Sequence, residues 1–237
     1  MSSLRRDRPH DGVEVLRLDR PDRLNAFDTA LLDEVNGALE AVAADPGVRA
    51  LVVSTTSPAA LSAGADVDEA LDAAGGVRRM EAFARMYAAI EAVPVPTIAV
   101  CVGHCVGAGA ELAAGCDLRV AGENLRARWV GALHGVPVGP ARLVPLVGLA
   151  LAKDLALTSR VLEADEALRI GFVRSVHPPE EAEAAGLLLA AELAGRGDGP
   201  RTLKALFAQL GDGAARVERE NAALVAFQRG GGGLPRR

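Results

Sequence analysis

Two short segments have residue types and spacing suited to binding a reactive oxygen. Residues 61–66 (LSAGAD) and 103–111 (GHCVGAGAE) are rich in glycine and alanine, and each is expected to lead from a strand to a helix. Small side chains let a ligand approach the backbone closely, and N–H groups at a helix start carry partial positive charge. Taken alone, either segment indicates only a tight connection between a strand and a helix. Two such loops that converge on one oxygen form an oxyanion hole from main-chain donors.

Glu111 is the acidic residue best placed for proton transfer near these loops. It falls in the first turn of a predicted helix, among alanine and leucine. Apolar burial would raise the pKa of its carboxyl, and the helix N-terminus would lower it. A general acid or base at neutral pH needs the raised value. The alternative is a first-turn acid that only stabilises the helix.

Two other interpretations of the second segment are weaker. Residues 107–112 (GAGAEL) imitate a dinucleotide fingerprint, but the third glycine is replaced by Leu112 and the motif comes late in the chain. A zinc site or a Cys–His nucleophile pair lacks the expected spacing, so buried cysteines are the better interpretation and no metal is expected. The residues weighed for that site are Cys101, His104, Cys105 and Cys116.

An α/β core is predicted to position both loops. Residues 13–18 alternate apolar and polar, as in a half-buried strand. Asp28 or Thr29 can cap a helix that ends at 45–47. Buried strands at 50–53, 97–102 and 116–121 alternate with helices at about 77–91 and 107–115, and 55–64 and 103–109 are expected to be loops. This order indicates parallel strands.

From residue 140 onward the pattern becomes mostly helical. Helices are predicted at 140–158, 163–169, 180–195, 201–210 and 214–228, with one short strand near 172–176. We therefore expect an α/β core over residues 1–180, a helical region over 181–229 and a flexible tail over 230–237.

Composition narrows the class of protein. The 237 residues carry a net charge of −5, which argues against nucleic acid as a partner. No apolar run reaches the ~18 residues of a membrane-spanning helix. The segment MSSLRRDRPHDG lacks the apolar stretch of a signal peptide, and three cysteines suggest a reducing compartment. A cytoplasmic protein without membrane contact is expected.

Taken in order, the segments resemble the enoyl-CoA hydratase/isomerase (crotonase) family. The resemblance implies a spiral of ββα turns and a C-terminal helical region that forms trimers. The matching segments are 20–27 (RPDRLNAF), 62–66 (SAGAD), 96–100 (PTIAV), 103–112 (GHCVGAGAEL) and 116–121 (CDLRVA).

The same resemblance assigns roles to individual residues. Ala65 and Ala108 would supply the two N–H groups that bind the thioester oxygen, and Glu111 matches the first of two hydratase glutamates. The residues that match the lining of the CoA and acyl site are Leu24, Ala26, Ala63, Asp66 and Val67.

The chain also departs from the family pattern. Gly131 stands at the place of the second glutamate, and neither neighbour is acidic. Asp68 replaces a lysine that often contacts the nucleotide end of CoA. The stretch 135–143 is shorter than the family's glycine-rich stretch. His134 is a candidate substitute acid or base, with a structural loop histidine as the alternative.

The sequence therefore predicts an acyl-CoA-processing enzyme that stabilises a thioester enolate, with Glu111 as its matched acid/base. The substrate would be an acyl-CoA thioester, and no cofactor is expected beyond the CoA of the substrate. Hydratase, isomerase and decarboxylase chemistry remain open, as does a non-catalytic acyl-CoA-binding role. A homotrimer or dimer of trimers is expected from the resemblance.

Overall fold

Ten strands and ten helices make up the described part of the chain, residues 2–233, in this computed structural model. In chain order they are β1 (Leu4–His10), β2 (Val13–Leu18), α1 (Thr29–Ala44), β3 (Ala50–Thr55), β4 (Ala60–Ser62), α2 (Ala73–Ala92), β5 (Thr97–Cys101), β6 (His104–Val106), α3 (Ala108–Gly115), β7 (Leu118–Gly122), β8 (Arg126–Arg128), α4 (Gly131–His134), α5 (Pro140–Val147), α6 (Leu149–Thr158), β9 (Leu162–Glu163), α7 (Ala164–Arg169), β10 (Ser175–His177), α8 (Ala182–Ala194), α9 (Gly199–Leu210) and α10 (Gly213–Arg229).

A six-stranded sheet in the order β1-β2-β3-β5-β7-β10 forms the base of the fold. All neighbours are parallel except β1 and β2, which are antiparallel. Side chains alternate between its two faces. Leu16 and Leu51 belong to the main core, whereas Val15 and Val52 pack with α8 on the other face.

A second sheet consists of short strands in the order β4-β6-β8-β9. Its strands β4 and β6 overlap the two segments 61–66 and 103–111. Strands β4, β6 and β8 are parallel, and β9 is antiparallel to β8. Each of β4, β6 and β8 follows a strand of the large sheet and precedes a helix. The chain thus repeats a strand–strand–helix turn, which confirms the predicted ββα spiral.

Helix caps explain where the first two helices begin. The Asp28 side chain accepts a hydrogen bond from Leu31 N at 2.8 Å, which confirms the predicted cap of α1. Helix α2 begins at Ala73, before the predicted start, because Asp72 accepts from Gly75 N at 2.6 Å.

Several sequence-based boundaries were wrong. The predicted loops at 55–64 and 103–109 contain β4 and β6, which are three residues each and too short to show a period. The predicted helix at 140–158 is two helices, since Gly148 has a φ of +79° and ends α5. Strand β1 was not predicted, because all but its first residue are exposed.

The C-terminal helices take different places on this core. Helix α8 covers the large sheet, and α10 lies along α2, where Asn221 donates to the Ala84 carbonyl at 2.8 Å. The division into 1–180 and 181–229 stays a prediction, and residues 234–237 of the predicted tail lie outside the described residues. Within the described residues, no helix has the length and apolarity to cross a membrane.

Candidate active site

One cavity of about 200 Å³ is lined by both glycine- and alanine-rich segments, which are called the first loop (61–67) and the second loop (103–111) from here on. Ala63, Ala65 and Val67 line it from the first loop, and Ala108 and Glu111 line it from the second. The cavity wall is completed by α2, by the segment 130–138 and by Leu224 of α10. We predicted from the sequence that these two loops form one site, and in the fold they lie side by side.

In the first loop, Ala65 pairs with Phe27, but the Ala65 N–H takes no part in that pairing. Phe27 N donates to the Gly64 carbonyl at 2.7 Å, and Asp66 N donates to the Phe27 carbonyl at 2.8 Å. This parallel bridge uses the groups on either side of Ala65, so the Ala65 N–H points away from Phe27. Buried Asn25 holds the segment, since its amide donates to the Ala60 and Leu61 carbonyls.

The second loop turns sharply at Gly107 into α3. Gly107 has a φ of +50°, and the N–H groups of the first turn that follows have no partner within the helix. A Cβ added to Gly64 would lie 2.9 Å from the Val106 carbonyl oxygen and 3.6 Å from Ala108 N. The two loops therefore touch beside Ala108, and both alanines line one cavity.

Glu111 is buried, 1% exposed, with its two oxygens in different settings. Oε2 accepts a hydrogen bond from Arg142 Nε. Among the described residues, no hydrogen-bond donor reaches Oε1, and Glu111 lines the cavity. Burial raises the pKa of Glu111 to about 7, although the Arg142 charge lowers it; the Glu220 charge adds to the rise. A carboxyl with this pKa can take and return a proton near neutral pH.

Sequence reasoning missed the partners of Glu111. Arg142 is buried, pairs with Glu111 and Glu220, and lies over the Tyr87 ring. Arg142 stands in the segment 135–143 that was noted only for its length. Glu220 is far along the chain on α10, so no local pattern connects it with Glu111.

Gly131 lines the cavity wall at the place where the family's second glutamate was expected. A Cβ at this position would lie 2.6 Å from the Val136 carbonyl oxygen and 3.0 Å from that of Val138. The backbone therefore leaves no room for a side chain there. His134 also lines the cavity, and its side chain is exposed.

Leu24, Ala26 and Asp66 lie outside the lining of this cavity, and their contact with CoA stays a prediction. The helix that follows, α2, is capped by Asp72 and not by Asp66. Asp66 instead pairs with Arg20 at 2.8 Å. Burial raises the pKa of this carboxyl, but the Arg20 guanidinium, the Asp68 N–H and the Arg23 charge together hold the pKa below its usual value.

The three cysteines, Cys101, Cys105 and Cys116, are free thiols buried in the core. This confirms that they pack as small apolar side chains. His104, between two of them in sequence, is exposed.

The family model for enoyl-CoA hydratase/isomerase matches residues 8–226. The chain belongs to this family. A probable enoyl-CoA hydratase of Mycobacterium tuberculosis is 35% identical over 173 residues, covering 71% of this chain and 66% of the relative. A crotonyl-CoA hydratase of Syntrophomonas wolfei is 36% identical over 174 residues, covering 71% and 67%. The matched part of the chain thus spans about two thirds of the length of these curated relatives.

Solved structures of crotonase-family proteins share the fold. Pseudomonas aeruginosa DspI aligns with a TM-score of 0.83 at 30% identity over 93% of both chains. An enoyl-CoA hydratase of Bacillus anthracis aligns with a TM-score of 0.82 over 99% of this chain and 98% of that one. Its identity is 23%, so this second likeness shows the fold alone.

Proposed function

We propose that this chain is an acyl-CoA-processing enzyme that forms a thioester enolate and moves a proton within an enoyl-CoA through Glu111. One observation carries the proposal: Glu111 Oε1 has no partner among the described residues and Glu111 shares a cavity with Ala65 and Ala108. Among the described residues that line the cavity, Glu111 is the one carboxylate, and Gly131 has no room for a side chain.

The two alanine amides would bind the thioester oxygen. Negative charge gathers on that oxygen when a proton leaves the carbon next to the carbonyl. Preorganised N–H donors in a site that excludes water stabilise such charge, and removal of one donor costs roughly 10²–10³-fold in rate in known cases. Apolar side chains on α2, including Met80 and Phe83, line the same cavity and reduce access of water.

Double-bond isomerisation is the reaction that one carboxylate can complete. Ionised Glu111 takes a proton from C2 of a 3-enoyl thioester, and the electron pair moves through the carbonyl to give a dienolate. The same carboxyl then returns the proton to C4, and the double bond lies between C2 and C3. Atoms and electrons balance with no water and no co-reactant, so we propose that no cofactor is used beyond the CoA of the substrate.

Hydration is the second candidate, because the relatives from Mycobacterium tuberculosis and Syntrophomonas wolfei are named as hydratases. Adding water across a double bond calls for a base that activates water and an acid that protonates carbon, and each such group contributes typically 10²–10⁴-fold. His134 is the remaining candidate for the second group, since it lines the cavity. Two further candidates are decarboxylation through the same enolate and a non-catalytic binding role. A direct assay distinguishes each of them from isomerisation and hydration.

The decisive experiment compares a 3-enoyl-CoA with crotonyl-CoA as substrates. We expect the wild-type chain to convert the 3-enoyl thioester to the conjugated thioester, followed by its ultraviolet absorbance, faster than it hydrates crotonyl-CoA. Glu111→Gln should lower this rate by roughly 10²–10⁴-fold, whereas Glu40→Gln, an exposed carboxylate on α1, should not change it. Faster hydration would favour the hydratase reading, and an unchanged rate in Glu111→Gln would remove Glu111 from the mechanism. Tight binding without turnover would favour the binding role.

We further propose that the chain assembles as a homotrimer or dimer of trimers and acts in the cytoplasm. Exposed apolar side chains on α9, among them Leu203, Phe207 and Leu210, support the assembly.

A further inference from the structure

A buried arginine, Arg142, connects Glu111 with the C-terminal helix α10. Its Nε donates to Glu111 Oε2, and its Nη2 donates to Glu220 Oε1. The guanidinium lies over the Tyr87 ring, with its carbon 4.5 Å from the ring centroid. Arg142 is 1% exposed, so solvent screens these contacts little. One cation therefore donates to two carboxylates from different helices, and a third carboxylate, Glu91 of α2, lies 3.8 Å from its Nη1.

Glu220 also fixes the segment that carries Arg142. Its second oxygen, Oε2, accepts from Ala141 N at 2.7 Å, in the first turn of α5. Arg216, one turn earlier on α10, donates to the Ala141 carbonyl. Both backbone groups of Ala141 are thus held by α10. The position of the neighbouring guanidinium depends on α10 being in place.

This arrangement holds one oxygen of Glu111 and leaves the other without a hydrogen-bond partner. Oε2 is held by Arg142, while Oε1 has no hydrogen-bond partner among the described residues. A carboxylate held at one oxygen keeps a defined orientation while the other oxygen exchanges a proton, and small misplacements of such a group are costly.

We infer that Arg142 and Glu220 are positioning residues that fix the orientation of Glu111 at the cavity with Oε1 left unpartnered, and that Glu220 thereby makes helix α10 part of the proton-transfer site. The inference rests on the proposed function, in which Glu111 moves the proton. Neither residue is required to touch the substrate. Each acts on the reaction through the orientation and charge of Glu111.

The two residues influence the proton affinity of Glu111 in opposite directions. Burial is the main cause of its raised pKa; the Arg142 cation lowers the pKa, and the Glu220 anion raises it. Opposite shifts would therefore show that both charges act on the Glu111 carboxyl itself. Other titratable or charged groups around this cluster are Glu91 and Tyr87 on α2, Cys105 on β6, Arg216 on α10 and, at the cavity, His134.

The test measures the pH dependence of proton transfer in the full chain. Because Glu111 must be ionised to take a proton, the rate falls below its pKa. Glu220→Gln removes an anion and should move this acid limb to lower pH. Arg142→Gln removes the cation and should move it to higher pH. Arg142→Lys keeps the charge but loses the planar fork, so kcat should fall roughly 10- to 100-fold while KM changes little.

The control is Glu218→Gln, which removes an exposed carboxylate two positions away on the same helix. Its acid limb should coincide with that of the wild type. A second readout, carbon-13 NMR titration of labelled glutamate carboxyls assigned with Glu111→Gln, follows Glu111 without any turnover. If the wild type shows no turnover, the proposed function fails, yet opposite NMR shifts would still sustain the positioning of Glu111.

Unchanged limbs, or shifts in the same direction for Glu220→Gln and Arg142→Gln, would overturn the inference. If Arg142→Gln does not fold, Glu220→Gln decides alone: a titration moved to lower pH supports the inference, and an unmoved one refutes it.

Discussion

Gly131 occupies the point on the cavity wall where the family pattern places a second carboxylate. Its environment is made of backbone, with the Val136 and Val138 carbonyl oxygens facing the space that a Cβ would need. Val136 N also donates to the Gly131 carbonyl at 2.9 Å, which folds the segment back on itself. The loss of the second carboxylate therefore involves the backbone of this loop as well as the residue type at position 131. A single substitution should not restore the missing group.

We expect Gly131→Glu to gain no hydration of crotonyl-CoA, and Gly131→Ala to destabilise the fold by roughly 1–3 kcal/mol, because the added atoms overlap the backbone. Urea unfolding and a hydration assay measure the two effects. Gly37→Ala is the matched control, since a Cβ there meets nothing within 4 Å on helix α1. It should be neutral or stabilise by about 0.5–1 kcal/mol. Efficient hydration by Gly131→Glu would contradict this account.

The sequence predicted that the two loops lie together, and the structure places Ala65, Ala108 and Glu111 on one cavity; contacts that depend on packing were not predicted. Ala65, Ala108 and Glu111 could be placed together because their motifs are local and adjoin predicted strands. The Arg142–Glu220 pair could not, because it forms only when α10 packs against α5. No spacing rule connects residues on helices that meet through tertiary structure.

Helix α2 forms the apolar end of the cavity. Met80, Phe83 and Tyr87 recur at helical spacing and face it together, with Leu224 from α10. Phe83 and Tyr87 are stacked, with ring centroids 6.0 Å apart. An apolar cavity of about 150 Å³ holds benzene, so the 200 Å³ here suits an acyl chain of a few carbons. We infer that α2 sets the upper limit of acyl length.

Met80→Ala should extend that limit. Removing side-chain atoms from the wall makes room for further methylenes, each worth about 1–3 kcal/mol in discrimination. The ratio of kcat/KM for a longer acyl-CoA to that for a four-carbon one should rise at least about tenfold. Met86→Ala is the control, since Met86 is buried on the same helix but does not line the cavity. Equal chain-length profiles in the two variants would show that α2 does not set the limit.

At the level of elements, prediction depended on length and on caps. Helix α1 and strands β2, β3 and β5 show a clear apolar period or run, and Asp28 marks where α1 begins. Strands β4, β6 and β8 are stabilised by pairing with one another across the spiral, so their three-residue segments show no signal of their own. The break at Gly148 was missed because apolar residues continue on both sides.

Among the helices of residues 2–233, α9 stands out because none of its side chains is buried. Helix α9 has 12 residues. Isolated helices shorter than about 12–15 residues are marginal in water. Lys204, whose side chain is 12% exposed, ties α9 to the body: its Nζ donates to Asp117 at 2.7 Å and to the Val95 carbonyl at 3.0 Å. Helix α9 carries an exposed apolar stripe formed by Leu203, Leu206, Phe207 and Leu210.

A second copy of the chain is the occupant that the family resemblance implies for this stripe. Phe207→Asp, at a side chain that is 70% exposed, should therefore dissociate the assembly, because a charge buried at an interface without a partner is costly. Light scattering should show a wild-type mass near three or six times 24.4 kDa and a variant mass near 24.4 kDa. Leu157→Asp, at a side chain 71% exposed on α6, should leave the mass unchanged. A wild-type chain that is monomeric at all concentrations would refute the assembly, and α9 would then have to be held by Lys204 and its neighbours alone.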